Sequence, residues 1–255
     1  VMNAIQFLLY LFLGQETVFD IKYWYPGINN FHRITVKSDH SISLSKILRP
    51  LWLFRDWRIV VATIAYSTCF SYANVALGVE LAGLYNKKYG FNAQQIGLQF
   101  ILLIIGVILG EQVGGWISDY WMNRRRNTKP EDRLWISYIG YAFCLLGNVI
   151  YGVMFDRNTS WTVIPDVGLA FSLFGLQIVT TVLITYSIDI NPLRASEVSL
   201  FITLIRQIFG FVGPFYFPVM LENPNLGVTG TYCLLGGLMV VIGWIPTVAL
   251  HVYTI

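Results

Sequence analysis

Two ionisable residues lie deep within apolar sequence, and they define the chemistry open to this chain. Arg206 falls inside the run Ser199–Leu221, and Glu111 inside Ile96–Ile117. A charge at the centre of a lipid-spanning helix costs about 2.5–3.5 kcal/mol on insertion scales, so each should face protein or water and hold a partner. At 1.5 Å per residue, Arg206 is roughly 10 Å from the end of its run on the basic side, and Glu111 roughly 9 Å. The matched depth predicts an interhelical Glu111–Arg206 pair, with Asp189 as the alternative partner. Such a pair either fixes helix register or breaks and reforms during a conformational cycle.

Uncharged polar groups mark a second pattern. Gln177, Thr181 and Thr185 recur every four residues, as do Gln95 and Gln99; Asn74 lies about two turns from Glu80. Polar stripes on helices surrounded by lipid must face protein or water. Asn74, Glu80, Gln99, Gln177 and Thr181 are therefore candidates for a hydrophilic path, with hydrogen-bonded helix packing as the competing reading. Glu80 could equally reach water at its helix end.

Other chemistries find no support. The sequence holds no HExxH, GxSxG or GxxxxGK[ST], and no GxGxxG opening a helix after a strand. His32, His40 and His251 are too scattered for a metal site, and Cys69, Cys144 and Cys233 sit in apolar runs without CxxC spacing. They read as small hydrophobes. No cofactor and no enzymatic activity are expected. A net charge of +3 is too small to argue for nucleic acid.

The elements that must position these residues are six long apolar runs: Arg58–Leu84, Ile96–Ile117, Leu134–Met154, Val163–Ile188, Ser199–Leu221 and Tyr232–Val252. Each reaches the ~20 residues that cross a ~30 Å hydrocarbon core. The chain is 55% hydrophobic and only 12% charged, against about 25% charged in a soluble domain. Continuous rather than alternating hydrophobicity excludes a barrel and leaves α-helices. The class is all-α, a polytopic membrane protein whose partner is the lipid bilayer.

Basic residues alternate between loops. Seven precede the first run (Lys22, Arg33, Lys37, Lys46, Arg49, Arg55, Arg58), five follow the second (Arg124, Arg125, Arg126, Lys129, Arg133), and Arg194 follows the fourth. The intervening loops hold only Lys87, Lys88 and Arg157. Thirteen against three places the richer face in the cytoplasm. The sequon Asn158-Thr159-Ser160 then falls outside, close to the membrane in a very short loop. Trp52, Trp57, Trp116, Trp121, Trp135 and Trp161 fit an aromatic belt at headgroup depth.

Residues 1–13 are apolar, too short to span and without a basic flank; they read as the end of a truncated transmembrane helix. Residues 14–55 form a polar linker, whose end, Ile42–Phe54, has the spacing of an interfacial amphipathic helix interrupted at Pro50. Residues 56–255 form the six-helix bundle. Gly106, Gly110 and Gly114 recur every four residues, the pattern of close helix approach. Gly210, Gly213, Pro214 and Pro218 predict that the outer half of the fifth helix is bent or broken.

The loop after the second run, Gly115-Trp116-Ile117-Ser118-Asp119-Tyr120-Trp121-Met122-Asn123-Arg124-Arg125-Arg126, resembles the signature loop of the major facilitator superfamily. Gly115, Asp119, Arg124, Arg125 and Arg126 match it; Tyr120 replaces a basic residue, and the second glycine is missing. Gly14-Gln15-Glu16-Thr17 is similar to the close of the sixth helix in fungal members. Arg206–Phe211 with Pro214–Pro218 resembles the eleventh helix of those related to drug:proton antiporters.

The resemblance implies that this six-helix bundle is one half of a twelve-helix major facilitator fold, with residues 14–55 as its central cytoplasmic loop. It implies a conformational switch at the Gly115–Arg126 loop, where Asp119 ends a helix beside basic residues and Gly115 admits a neighbouring helix. It also implies a solute cavity on the helices carrying Asn74, Gln99, Gln177 and Arg206. The expected activity is secondary active transport of a small organic solute, a drug or polyamine, by proton-coupled alternating access at the plasma membrane. Protons, the solute and the missing N-terminal half are the partners, and without that half these 255 residues are expected not to transport. A titratable carboxylate, Glu80 or Glu111, would carry the coupling. A non-transporting membrane receptor or scaffold is the alternative, disfavoured because residues 14–55 are too short and polar for a sensor domain.

Overall fold

The computed structural model describes residues 49–124 and 129–254. The expected truncated helix at 1–13, most of the linker at 14–55, and Arg125 and Arg126 lie outside the described residues. Within them every regular element is helical.

Among the described residues six helices are long and apolar enough to cross a membrane: α1 Trp57–Tyr89, α2 Ala93–Arg124, α3 Pro130–Arg157, α4 Ile164–Ile190, α5 Pro192–Leu221 and α6 Gly227–Thr254. Each extends past its apolar run because local capping, not hydropathy, decides where a helix stops. The α1 start is fixed by Asp56, whose carboxylate accepts the Arg58 backbone N–H at 3.2 Å. Its end is fixed by Gly90 at φ +68°, a left-handed cap that glycine adopts without a Cβ clash. The last basic segment before α1, Arg49–Arg55, is a 3₁₀ helix. Pro50 lies in its first turn, where a missing N–H costs little; residues 42–48, on the other side of the expected interruption, lie outside the described residues.

The centre of the bundle is α4, held against α2 on one side and α3 on the other. Lipid tails are as apolar as leucine, so close van der Waals contact between small residues must supply the attraction. The expected glycine strip does this on α2. A Cβ at Gly106 would lie 2.4 Å from the Ala170 carbonyl oxygen, and one at Gly110 2.4 Å from that of Phe174. The α3 side has a matching strip that the sequence reading missed: Cβ atoms at Gly147 and Gly175 would lie 2.3 Å from the Ser172 nitrogen and the Gly140 oxygen respectively.

Two π-turns interrupt the long helices, at Ser71–Val75 in α1 and Val240–Trp244 in α6. Neither carries a proline that would announce it. By contrast α5 runs as one helix through Pro214 and Pro218, so it is not broken. Its fit depends on Gly213, where a Cβ would sit 2.5 Å from the Phe217 ring, and on Ser71, whose hydroxyl donates to the Phe209 carbonyl at 3.3 Å.

Several hydroxyls inside the spans are satisfied on their own helix, while those of Thr63 and Ser67 on α1 and the side-chain nitrogen of Asn148 on α3 are buried without a partner among the described residues. The hydroxyls of Thr68, Ser187, Thr203 and Thr247 each donate to the carbonyl one turn back. At one end of the bundle Arg133 pairs with Asp189 at 2.8 Å and Arg58 with Glu131 at 3.7 Å. At the other end, Tyr85 donates to the buried Asp166 at 2.5 Å, and Asp156 accepts from the Thr229 backbone and hydroxyl at 2.7 and 2.6 Å. The loops that alternation assigns to each face therefore meet their own kind.

Candidate functional site

The strongest constellation gathers on α1, α4 and α5 around Arg206. Its Nη1 donates to the Tyr66 hydroxyl at 3.3 Å, and its guanidinium lies over the Phe70 ring at 4.9 Å. Its Nε has no hydrogen-bond partner among the described residues. A cavity of about 90 Å³ opens beside it, lined by Tyr66, Ile184, Ser199, Ile202, Thr203 and Arg206. The π face of Phe70 and the Tyr66 oxygen offset part of the desolvation cost of the cation, but neither neutralises it.

The expected Glu111–Arg206 pair does not form in this structure, nor does the alternative with Asp189. Glu111 is exposed on α2 with no ion pair among the described residues, and Asp189 is taken by Arg133. Matched depth was not sufficient, because azimuth around the helix decides which side chains meet. The strip Gly106–Gly110–Gly114 turns toward α4, and Glu111, the residue after Gly110, is turned about 100° from it. An unneutralised guanidinium beside a cavity is a binding group for a carboxylate, phosphate or carbonyl oxygen.

The remaining candidates lie around this centre without joining it. Asn74 is half-buried within the π-turn of α1, and Glu80 is half-buried two turns further along. Gln99 is buried and its side-chain amide donates to the Gln95 carbonyl at 3.1 Å. Gln177 and Thr181 are half-buried on α4. The Thr181 hydroxyl donates to the Gln177 carbonyl at 2.9 Å, and that of Thr185 to the Thr181 carbonyl at 2.6 Å. The two threonines keep their donors on their own backbone and offer spare acceptor capacity outward.

The sequence reading missed Tyr66, Phe70, Ser199 and Thr203. The signal was present on α5: Ser199, Thr203 and Arg206 fall at positions i, i+4 and i+7, one polar face. Tyr66 and Phe70 are one turn apart but resemble ordinary core aromatics, and nothing local distinguishes them.

Two details of the proposed switch loop differ from expectation. Asp119 does not end a helix, since α2 continues to Arg124. Gly115 does not admit a neighbour within this chain: a Cβ there meets nothing within 4 Å, and Gly114 is the residue packed on α4, 3.1 Å from the Ile178 Cα. Tyr120 instead organises this end of α2. Its hydroxyl accepts from Arg124 Nη1 at 2.8 Å, and its ring stacks on Trp116 with centroids 5.8 Å apart. Cys69 and Cys144 are buried free thiols whose sulfurs approach to 3.6 Å, while Cys233 is exposed.

No family model and no solved structure matches this chain. Curated relatives do. It is 27% identical over 154 residues to "Probable efflux pump mfs2" of Aspergillus flavus, a match covering 58% of this chain and 36% of that protein. It is 26% identical over 200 residues to "Polyamine transporter 2" of Saccharomyces cerevisiae, covering 76% and 32% respectively. It is 26% identical over 198 residues to "MFS-type transporter penM" of Penicillium rubens, covering 76% and 39%. The match thus spans about a third of the length of these relatives, whose names bear out the resemblance to fungal major facilitator transporters.

Proposed function

We propose, from a six-span chain whose relatives are fungal major facilitator transporters, that it forms the second half of a secondary transporter moving a small organic solute by alternating access. The observation that carries this reading is Arg206, a cation held by Tyr66 and Phe70 beside a cavity, with no carboxylate paired to it among the described residues. A structural arginine buried at that depth would be expected to hold an ion-pair partner; one left open suits a group that accepts a passing ligand.

Relatives named as polyamine transporters and efflux pumps suggest polyamines or drugs as the solute. The guanidinium adds a condition. It repels a polyamine ammonium at close range, so a polyamine would be held away from Arg206, whereas a drug with a carbonyl, carboxylate or phosphate would be bound by it. Proton coupling would use Glu80 or Glu111, the carboxylates on α1 and α2, and the Gly115–Arg126 loop would act as the switch between conformations.

Transport by the complete protein in proteoliposomes tests this reading. Labelled spermidine and an acceptor-bearing aromatic drug should be compared with and without an imposed pH gradient. Uptake of either, raised by the gradient, is the expected result. Flux indifferent to the gradient would remove the proton coupling, and no flux of any organic solute would favour the receptor or scaffold alternative.

A further inference from the structure

A second cavity, of about 370 Å³, opens at the end of the bundle that carries most of the basic residues, where the Arg49–Arg55 helix meets the start of α1 and the turn between α4 and α5. It stands apart from the Arg206 cavity and shares no lining residue with it. Its floor is the buried Leu53. Three guanidinium groups, from Arg55, Arg58 and Arg194, line it together with the Asn191 side chain.

The charge balance is positive. Asp56 also lines the cavity, but its carboxylate is engaged with the Arg58 backbone N–H as the α1 cap. Arg58 is partly balanced by Glu131 at 3.7 Å. Arg55 and Arg194 are exposed and make no ion pair among the described residues. Two unneutralised planar forks at the lining of one cavity suit the bidentate recognition of a phosphate group.

The rim identifies the source of that phosphate. Trp52 is 72% exposed and Trp57 52%, both on the cavity wall, and Leu193, beside Arg194, is 98% exposed. These residues sit at the ends of spans, the depth at which tryptophan rings lie among headgroups and a leucine reaches acyl chains. A soluble phosphate would need none of that apolar rim. We infer that this cavity binds the headgroup of an anionic phospholipid, with Arg55 and Arg194 on the phosphate, Asn191 on the headgroup's polar substituent, and Trp52, Trp57 and Leu193 along the lipid's glycerol and upper chains. Basic pockets between spans bind anionic headgroups by this chemistry.

Native mass spectrometry of the 255-residue chain in nonionic detergent tests the assignment. Dioleoyl phosphatidylserine, dioleoyl phosphatidylcholine and sodium phosphate are titrated separately and then in competition. Phosphatidylserine adducts should exceed phosphatidylcholine adducts, and binding should fall about fivefold for each guanidinium removed, or on the order of 25-fold for Arg55→Gln with Arg194→Gln. Arg157→Gln, at the last residue of α3 and the opposite end of the bundle, should leave adducts unchanged. The single Arg194→Gln variant, on an exposed turn, supplies the answer if the double variant does not fold. Equal binding of the two lipids, or adducts unaffected by loss of Arg194, would overturn the site. Displacement of phosphatidylserine by equimolar phosphate would show a soluble-anion site and overturn the lipid assignment.

Discussion

The guanidinium of Arg206 and the hydroxyl of Tyr66, 140 positions apart in the chain, meet at 3.3 Å across the α1–α5 contact. The tyrosine orients the cation without neutralising it, and Phe70 below confines it to one plane. The result is a preoriented donor fork beside a cavity that α4 closes through Ile184.

Replacing that fork should cost transport more than folding. Arg206→Met keeps the aliphatic stem and loses the charged hydrogen bonds, each of which contributes about 1.5–3 kcal/mol. Uptake of an acceptor-bearing solute by the complete transporter should drop by about tenfold or more on that basis, while the melting temperature holds or rises because a desolvated cation has been removed. Tyr66→Phe should lie between Arg206→Met and the native protein. Uptake unchanged by Arg206→Met would make the residue structural.

The glycine contacts on α2 give a stability test. At Gly106 and Gly110 an added Cβ meets backbone oxygen at 2.4 Å, and backbone cannot move aside as a rotamer can. Gly106→Val or Gly110→Val should destabilise by about 1–3 kcal/mol, the usual cost of overpacking. Gly115→Ala, which meets open space in this chain, should leave thermal unfolding in detergent unchanged or slightly improved. Equal effects at all three positions would contradict the α2–α4 packing.

How much of this was legible in the sequence depended on what each signal encodes. Hydropathy gave the six spans, since length and apolarity are properties of a segment by itself. It did not give the π-turns at Ser71–Val75 and Val240–Trp244, which follow from packing between segments. Depth of a charge can be counted along one helix, and this placed Arg206 inside a span. Its partner could not be counted, because rotation of α2 relative to α5 is set by the Gly106–Gly110–Gly114 contact with α4. Asp189 likewise looks available by depth, but Arg133, in the first turn of α3, holds it.

The two ion pairs at the basic end should differ in strength. Arg133 is 10% exposed and Asp189 37%, so solvent screens one partner and the loss on Asp189→Asn should be about 1–2 kcal/mol, below the ~3–5 kcal/mol for breaking a fully buried pair. Arg58 is 40% exposed and 3.7 Å from Glu131; that coupling should not exceed about 1 kcal/mol. Double-mutant cycles on thermal unfolding measure both, and a stronger Arg58–Glu131 coupling would reverse the ranking.

At the opposite end, Tyr85 and Tyr89 lie one turn apart with different duties. Tyr85 donates to the fully buried Asp166 at 2.5 Å, whereas the Tyr89 hydroxyl has no hydrogen-bond partner. Tyr85→Phe should cost about 1–3 kcal/mol by leaving a buried acceptor unmatched, and Tyr89→Phe should be near neutral. Similar losses in unfolding measurements would argue that Asp166 is satisfied by other means.

Water access beside Arg206 is the most direct test of a solute path through this bundle. Cys69 and Cys144 are buried, so within this chain Cys233→Ser removes the exposed thiol; with any accessible cysteine elsewhere in the complete transporter also replaced by serine, a membrane-impermeant maleimide meets a quiet background. In the complete transporter, Thr203→Cys, on the cavity wall, should be labelled from the aqueous phase, and the adjacent Leu204→Cys, about 100° around the helix and not on the cavity wall, should not. Labelling at 204 with protection at 203 would place Arg206 against the bilayer and contradict the transport reading.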